Sequence, residues 1–493
     1  MKKKIINSCL ILSLALGACE AWVDIKPTDR LSEEVLFTSK EGFLKALNGV
    51  YIELAHPDLY GMNLSAGPLD VMGQYYTFSG SSSHRLYYFS NYTYTNANVK
   101  TVFDNAWKKA YALIFNCNVI LEKCGEGHPL LPNPHFGLVK GEALALRAML
   151  HLDLFRLFGP IWSDESKGNA CIPYMTLADQ QIRPLLPAQT VRDSIIRDLK
   201  EALSLLKESD PIRAEGVRNE SSPTGNNDLF YRQYRLNYYA VKALLARTYL
   251  WCGDKVNALA LAKEILEEVQ VPGNEIFPFV SPADASNVTI PDRLFSSEVM
   301  FALYKTNRVN VYNTLFAPTL DMYNLLTFAG AYASGRVNEL YDDKNDYRYK
   351  IWANHTVDAS VILYHEKFKD ITPNAAGFGN GFRYMMPLIQ LSELYLMAAE
   401  CSTSLDEGIG YLNQVRNNRN CFSVTPASSE GLLSAIALEL KKEMIGEGQL
   451  FFFYKRQGMQ VIPNGSLPSG TMNMSLNNYV VPLPDSEISE RMD

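Results

Sequence analysis

The sequence predicts an all-α, mainly helical protein, and three observations carry this prediction. Residues 140–160 are a run of strong helix formers whose apolar side chains cover more than one narrow face. Residues 236–269 have the pattern of two helices joined by a glycine turn. Two long, aromatic-rich regions, 57–103 and 272–386, lose helical periodicity, and the second contains strand-like runs at 298–304 and 361–367. Helices should therefore form the scaffold that holds these loop-rich regions.

Length and charge restrict the classes of function that the protein can have. The chain has 493 residues, enough for a sizeable core, and a formal net charge of −7. No basic cluster lies beyond the extreme N-terminus, so the sequence argues against a nucleic-acid-binding protein. Aromatic residues are frequent, with 28 Tyr and 23 Phe, and many of them lie outside the helical segments.

The N-terminus has the pattern of a lipoprotein signal peptide, residues 1–18. Three lysines precede a short apolar run that is too short for a bilayer span of about 20 residues. Leu16-Gly17-Ala18-Cys19 then matches a bacterial lipobox, which predicts cleavage before Cys19 and lipidation of its thiol. The alternative is an ordinary signal peptide with a chance cysteine. Acyl chains on Cys19 would anchor the protein stably, and residues 19–37 would form an extended tether.

Residues 38–493 are predicted to be a single domain that begins with helices. The first covers 38–56, capped by Thr38 or Ser39, and the second covers 104–123, capped by Asp104. The apolar helix 138–158 follows, and Gly159-Pro160 should end it with glycine in a left-handed cap.

The remaining helices are predicted in pairs. The segment 236–269 turns at Cys252-Gly253-Asp254, and its small residues fall where a tetratricopeptide repeat places them. Helices at 388–402 and 405–416 echo this pair loosely. The other predicted helical segments are 188–207 and 430–455, and the pairs 104–123/138–158 and 188–207/236–252 read as degenerate repeats.

The cysteines of the mature body are predicted to be buried free thiols. Cys117 and Cys124 are seven positions apart in a predicted helix, about 10 Å, which is too far for a disulfide. There is no CxxC and no Cys/His pair with zinc spacing. We therefore expect no metal site from these residues.

The sequence shows no catalytic constellation. Phosphate-binding loops, HExxH, GxSxG and dinucleotide fingerprints are missing from it. His151, inside the apolar helix, is predicted to be a hydrogen-bonded core histidine, and the charges of Glu142, Arg147, Glu393 and Glu400 are predicted to be paired and structural. No catalytic residue and no cofactor are predicted, which counts modestly against an enzyme.

The aromatic loops are the positive functional signal. Aromatic faces stack on the apolar faces of sugar rings, and Tyr and Trp keep a polar group for hydrogen bonding. For any single Tyr, packing of the loop onto the helices is the better interpretation, but the set should include an exposed platform. The candidate platform residues are Tyr75, Tyr76, Tyr87, Tyr88, Tyr332 and Trp352.

Motifs along nearly the whole mature chain occur in a recognisable order. The central one is GEALALRAMLHLDLFRLFGPIW, from Gly141. The others are CEAWVDIKPTD after the lipobox, FTSKEGFLKALNGVY, Trp107 with Tyr111 and Asn118, LLARTYLWCGD, LSELYLMAAE with LNQVRNNR, KKEMIGEGQLFFFYKRQG and VPLPDSEI. Together they resemble the SusD/RagB family of lipoproteins. Gln390 and Gln449 stand where the family often has arginine, and Phe451, Phe452 and Phe453 are unusually apolar, which puts the subfamily in question.

The resemblance implies tetratricopeptide-like helix pairs packed against a loop-rich half that carries the ligand. It also implies a lipid-anchored protein on the outer face of the outer membrane that captures a nutrient, usually a glycan and sometimes peptides. The partner would be a SusC-like TonB-dependent transporter, which the protein caps as a hinged lid. The alternatives are a peptide-binding or protein-interaction scaffold and, third, a glycosidase with two loop carboxylates.

Overall fold

The computed structural model describes residues 33–78, 82–328, 333–357, 360–371, 381–467 and 469–491. Within these residues the structure is mainly helical, as predicted. The described part of the chain has nine helices of eleven or more residues: α1 (Lys40–Leu54), α2 (Ala97–Cys124), α3 (His135–Phe158), α4 (Ala188–Ser209), α5 (Tyr238–Trp251), α6 (Lys255–Val269), α7 (Leu391–Cys401), α8 (Leu405–Asn417) and α9 (Ser429–Glu443). Shorter helices cover Glu33–Leu36, Pro68–Met72, Tyr87–Ser90, Ile212–Glu215, Pro282–Ala285, Val309–Leu315, Ala333–Leu340, Leu450–Arg456 and Asp485–Glu490.

The strands are short and pair in twos. The described residues contain β1 (Ala170–Ile172) with β2 (Leu186–Pro187), β3 (Val299–Tyr304) with β6 (Met385–Gln390), β4 (Trp352–Val357) with β5 (Ser360–His365), and β7 (Val461–Pro463) with β8 (Thr471–Asn473), all antiparallel. The strand-like runs predicted at 298–304 and 361–367 correspond to β3 and β5.

The long helices pack in sequence order, which confirms the tetratricopeptide-like pairs. Helix α2 packs on α3, α3 packs on α4, and α4 packs on α5. Helix α6 packs on both α5 and α7, and α7 in turn contacts α8 and α9. The α5–α6 turn lies at Gly253, whose φ of 73° is a left-handed conformation that glycine adopts without strain. Helix α3 is at the centre: every residue from Gly137 to Phe158 is buried.

Two predicted helix ends were wrong. Helix α2 begins at Ala97, because the Asn96 side chain accepts hydrogen bonds from the amides of Asn98 and Val99, whereas Asp104 lies inside the helix and pairs with Lys108. Gly159 is extended, with φ −76° and ψ 165°, and not left-handed. Glycine is needed there because a Cβ would lie 2.5 Å from the Phe155 side chain.

The first described residues are helical. Glu33–Leu36 is a helical turn that packs on α1, so the predicted extended tether is wrong over these four residues. The signal peptide and Cys19 lie outside the described residues.

The six described cysteines are buried free thiols, as predicted, and burial raises the pKa of Cys117 to about 12. None of the described helices combines the length and apolarity needed to cross a bilayer.

The charges inside α3 are paired, as predicted. Glu142 accepts hydrogen bonds from the Tyr51 hydroxyl at 2.8 Å and from Arg232 Nη1 at 2.6 Å. Arg147 donates from Nε to Asp198 at 2.7 Å and from Nη1 to Asn118 at 2.9 Å. These side chains stabilise the helical scaffold.

His151 is a hydrogen-bonded core histidine that makes the fold sensitive to acid. Its Nδ1 lies 2.8 Å from the Arg147 carbonyl and its Nε2 accepts from the Met175 amide at 3.0 Å, so the neutral ring is satisfied at both nitrogens. Burial lowers its pKa to about 3. Because its pKa is lowered in the folded state, His151 binds a proton more tightly in the unfolded chain. Its contribution to the free energy of unfolding is therefore fully present above the unfolded pKa of about 6.5 and is lost as the pH falls toward 3.

We expect His151→Gln to reduce the acid sensitivity of the fold. Between pH 7 and pH 5 the titration of His151 should lower the free energy of unfolding by about 2 kcal/mol. The variant lacks this titration, so its unfolding free energy, measured by urea denaturation at both pH values, should fall by about 2 kcal/mol less than that of the native chain. Equal losses in the two chains would contradict this assignment. His56→Gln is the control, because His56 is exposed.

Candidate functional site

The two aromatic-rich regions meet in the structure. The Thr77 amide donates to the Thr327 carbonyl at 3.0 Å, and the Arg85 amide donates to the Tyr323 carbonyl at 3.1 Å. Arg85 Nη2 also donates to the Thr314 carbonyl at 2.9 Å. Segments 82–98 and 314–328, separated by more than two hundred positions, therefore form one surface.

Tyr75 and Tyr76 lie beneath this surface, not on it. Their exposed fractions are 0% and 1%. The Tyr75 hydroxyl donates to the Lys441 carbonyl at 2.9 Å, and the Tyr76 hydroxyl donates to Asp70 at 2.7 Å and lies 3.1 Å from His365 Nε2. A ring without an exposed face cannot stack on a sugar, so the assignment of these two tyrosines to the platform is corrected: they support the loops.

Trp352 belongs mainly to the same supporting layer. Its ring packs edge-on to Phe328 at 4.6 Å, and its Nε1 donates to the Tyr341 hydroxyl at 3.0 Å. It is half-buried, so unlike Tyr75 and Tyr76 it stays a candidate for the platform. Tyr332 lies outside the described residues.

Tyr87 and Tyr88 are less buried than Tyr75 and Tyr76. Both are half-buried in the helical turn Tyr87–Ser90, and their ring centroids are 5.4 Å apart at 81°. The Thr93 amide donates to the Tyr88 carbonyl at 2.9 Å, which fixes the end of the turn. Segment 314–328, which is hydrogen-bonded to segment 82–98, adds Tyr323, whose exposed fraction is 48%. We call Tyr87, Tyr88 and Tyr323 the tyrosine surface.

Sequence reasoning missed Tyr323 as a site residue. It is one of many aromatic residues in the region 272–386, and no local pattern distinguishes it from its neighbours. Its position depends on the backbone bond to Arg85, a contact between distant segments. A turn signal was available at Asp321, whose side chain accepts from the Tyr323 amide at 2.9 Å.

The polar groups beside the rings suit hydrogen bonding more than acid–base chemistry. Burial lowers the pKa of His84 to about 4, so this imidazole is neutral at pH 7. Segments 82–98 and 314–328 contain a single carboxylate, Asp321, which accepts hydrogen bonds from the Asn324 side chain. Among the described residues, no group of three or more His, Cys, Asp or Glu side chains could hold a metal ion.

The helical half has a cavity of its own. It encloses about 550 Å³ between α2, the segment 173–183 and the helix Asp485–Glu490. Trp107, Tyr111 and Met175 line it, and the Tyr111 hydroxyl donates to the Pro173 carbonyl at 2.9 Å. This cavity lies within the scaffold and shares no residue with the tyrosine surface.

Two family models match the chain. A SusD-like family described as "starch-binding associating with outer membrane" matches residues 22–213, and the SusD family matches residues 357–491. The SusD-like protein P38 of Formosa agariphila is 33% identical over 98 residues, which are 20% of this chain and 17% of that protein. The chain thus matches about a sixth of the length of this curated relative.

Solved structures share the fold over nearly the whole chain. A SusD superfamily protein from Bacteroides thetaiotaomicron has a TM-score of 0.69 at 22% identity, covering 92% of this chain and 98% of the other. A SusD-like carbohydrate-binding protein from Bacteroides vulgatus has a TM-score of 0.66 at 20% identity, covering 92% and 96%. Surface glycan-binding protein A of B. thetaiotaomicron has a TM-score of 0.64 at 16% identity, covering 93% and 98%.

Proposed function

The chain belongs to the SusD/RagB family, and from this we propose that it binds a nutrient glycan at the cell surface, without cleaving it. The observation that carries the proposal is the tyrosine surface, in which the segment that carries Tyr87 and Tyr88 is hydrogen-bonded through the Arg85 amide to Tyr323 of the other loop-rich region. Rings with accessible faces beside amide and hydroxyl groups are the features by which proteins hold sugars. Trp352, whose ring packs on Phe328 at the end of segment 314–328, is a secondary candidate.

Delivery and location are further parts of the proposal. The glycan would pass to a SusC-like TonB-dependent transporter, and the lipid on Cys19 would hold the protein on the outer face of the outer membrane. The family's description as associating with the outer membrane supports this location. Palmitate labelling of cells and co-purification of the transporter from intact outer membranes measure these two parts.

Two alternatives make different demands on the structure. A peptide-binding scaffold of the same fold would leave the tyrosine surface dispensable. A glycosidase needs two carboxylates flanking the scissile bond, roughly 5–10 Å apart. Segments 82–98 and 314–328 supply one, Asp321, so the composition of this surface favours binding over cleavage.

We expect Tyr88→Ala and Tyr323→Ala each to weaken glycan binding about 5-fold, and the double variant about 30-fold. The reason is that each stacking contact contributes on the order of 1 kcal/mol. Isothermal titration calorimetry against the glycan that the native protein binds best on an array measures the effect, and unchanged circular dichroism verifies the fold. Phe422→Ala is the matched control, because Phe422 is 76% exposed and follows α8 in the helical half.

Two results would contradict the proposed function. The first is a native protein that binds no glycan on the array, alone or with the transporter. The second is a double variant that binds as tightly as the native protein, which would place the ligand elsewhere. Release of sugar from a glycan by the purified protein would support the glycosidase alternative instead.

A further inference from the structure

A second aromatic cavity lies apart from the tyrosine surface. It encloses about 520 Å³ between α1, the segment 227–235 and the end of β3, and no residue of segments 82–98 or 314–328 lines it. This volume is typical of ligand pockets, which measure roughly 300–1,000 Å³. The cavity is open to solvent at Tyr304, whose exposed fraction is 51%.

Aromatic rings form much of its wall. Tyr304 packs against Tyr234 and Tyr384, each with a ring-centroid distance of 5.3 Å, so its orientation is fixed although half of its surface is accessible. Phe230 and Tyr231 are half-buried in the same wall. The cavity therefore presents ring faces that are already held in place before a ligand arrives.

The backbone at Tyr231 is strained. Its φ of 56° lies in the left-handed region, which is uncommon for a bulky side chain. The Tyr231 amide donates to the Arg218 carbonyl at 2.8 Å, and its hydroxyl lies 3.1 Å from Ser221 Oγ. Strained residues that surrounding contacts hold in place concentrate at binding and catalytic sites. This conformation keeps the Tyr231 side chain in the cavity wall.

Two charged side chains line the cavity, Asp228 and Arg235, and both contact other residues of the protein. Asp228 binds Lys40 Nζ at 2.7 Å. Arg235 stacks over the Tyr51 ring at 4.5 Å, donates to Asn48, and has its Nη1 4.0 Å from Glu142. Arg235 Nη1 has no hydrogen-bond partner of its own, because Glu142 is held by Arg232 at 2.6 Å. This guanidinium is the one cation in the cavity wall and lies in the same wall as the anionic Asp228. The rest of the wall consists of ring faces, hydroxyls, amides and apolar groups, which suit an uncharged sugar.

We propose that this cavity is a second carbohydrate site, which binds one end of a neutral oligosaccharide by stacking on Tyr304 and Tyr231. It rests on the proposed function only for the class of ligand, since its residues are separate from the tyrosine surface. A chain with two sites can hold a long glycan at two points, which raises the overall affinity when both sites are engaged.

The test measures the binding of neutral hexasaccharides to the native chain, to three variants and to two combinations of these variants. The probes are maltohexaose, cellohexaose, laminarihexaose, xylohexaose and mannohexaose, with oligogalacturonate as the acidic comparison, studied by calorimetry and saturation-transfer NMR. Tyr304→Ala removes the exposed ring, and Ile52→Arg places a bulky side chain at an exposed position of the cavity wall. The third variant, Tyr88→Ala with Tyr323→Ala, removes the tyrosine surface.

We expect at least one neutral probe to retain one binding site in the Tyr88→Ala/Tyr323→Ala chain. Adding Tyr304→Ala or Ile52→Arg to that chain should weaken the retained binding at least 5-fold, and oligogalacturonate should bind this site more weakly than the neutral probe. If Tyr304→Ala alone abolishes all binding while the tyrosine-surface variant binds normally, the second site stands and the proposed tyrosine surface does not.

Several outcomes would overturn the inference. One is the loss of all sugar binding in the Tyr88→Ala/Tyr323→Ala chain, which would leave the proposed function intact. Another is unchanged binding of every probe in both Tyr304→Ala and Ile52→Arg. Tighter binding of oligogalacturonate or of a tripeptide at this site, or a native chain that binds no probe, would also refute it.

Discussion

Replacing Arg419 with methionine is expected to lower the free energy of unfolding by about 4 kcal/mol. Arg419 has an exposed fraction of 0% and bridges two buried carboxylates. Its Nη1 and Nη2 donate to Glu298 at 2.8 and 2.7 Å, and its Nε and Nη2 donate to Glu443 at 2.8 and 2.9 Å. Methionine fills a similar space but leaves both carboxylates without this cation, and burying an uncompensated charge is strongly destabilising.

A second variant separates the lost charge from lost packing. Glu298→Gln combined with Arg419→Met should be less destabilised than Arg419→Met alone, because the buried charge that lost its partner is removed as well. Glu443 keeps Arg348, which donates to it at 2.8 Å. Urea denaturation measures both variants, and Arg197→Met, at a side chain 61% exposed, is the control expected to change stability by less than about 1 kcal/mol. A double variant as unstable as the single one would point to packing instead.

The ion pairs of Arg419, Glu298, Glu443 and Arg348 form one buried network that joins several elements of the fold. Glu298 directly precedes β3, Arg419 follows α8 and Glu443 ends α9. Arg348, from the loop-rich region, donates to Glu439 at 2.6 Å and to Asp346 at 2.6 Å. Buried ion pairs thus join the helical half to the segments that carry the aromatic residues. We infer that the network sets the position of those segments relative to the scaffold.

Much of the scaffold could be predicted because its signals are local. Helix α3 has apolar residues on all sides and is buried on all sides, and the glycine turn between α5 and α6 lies where the small residues indicated. The start of α2 was harder, since Asn96 and Asp104 are both good caps and periodicity fades near both. Packing of the first two turns, where Val99 and Phe103 are buried, favours Asn96.

The candidate site could be predicted only as a region. Whether a tyrosine is buried or exposed depends on contacts between distant segments. Tyr75 is fixed by the Lys441 carbonyl, 366 positions away, and Tyr76 by Asp70 and His365. Tyr87 and Tyr88 stay candidates because both are only partly buried, whereas Tyr323 and Tyr304 carried no distinguishing pattern. Gln390 and Gln449, the two departures that the family resemblance indicated, are bound by residues distant in sequence: Gln390 donates to Glu447, and Gln449 accepts from Arg156.

The two proposed sites share a design in which a few exposed rings rest on a buried aromatic or charged layer. Tyr323 is held through Arg85, and Tyr304 through Tyr234 and Tyr384. Because the rings are fixed beforehand, binding would lose little side-chain entropy. Weak single stacking contacts can then add up to useful affinity along a repeating ligand such as a glycan.

Lys455→Met is expected to lower the free energy of unfolding by about 3 kcal/mol, because it leaves the end of α3 without its cap. The buried Lys455 Nζ donates to the carbonyls of Arg156, Leu157 and Gly159 at 2.7, 3.1 and 2.8 Å. The last carbonyls of a helix lack partners within it, and each buried orphan costs about 1–3 kcal/mol. The Val481 amide still donates to Leu157 at 3.1 Å, which keeps the expected loss below the full sum. Lys108→Met is the control, since its side chain is 59% exposed and should change stability by less than about 1 kcal/mol. Urea denaturation that showed equal losses for the two variants would mean that Lys455 does not hold the end of α3.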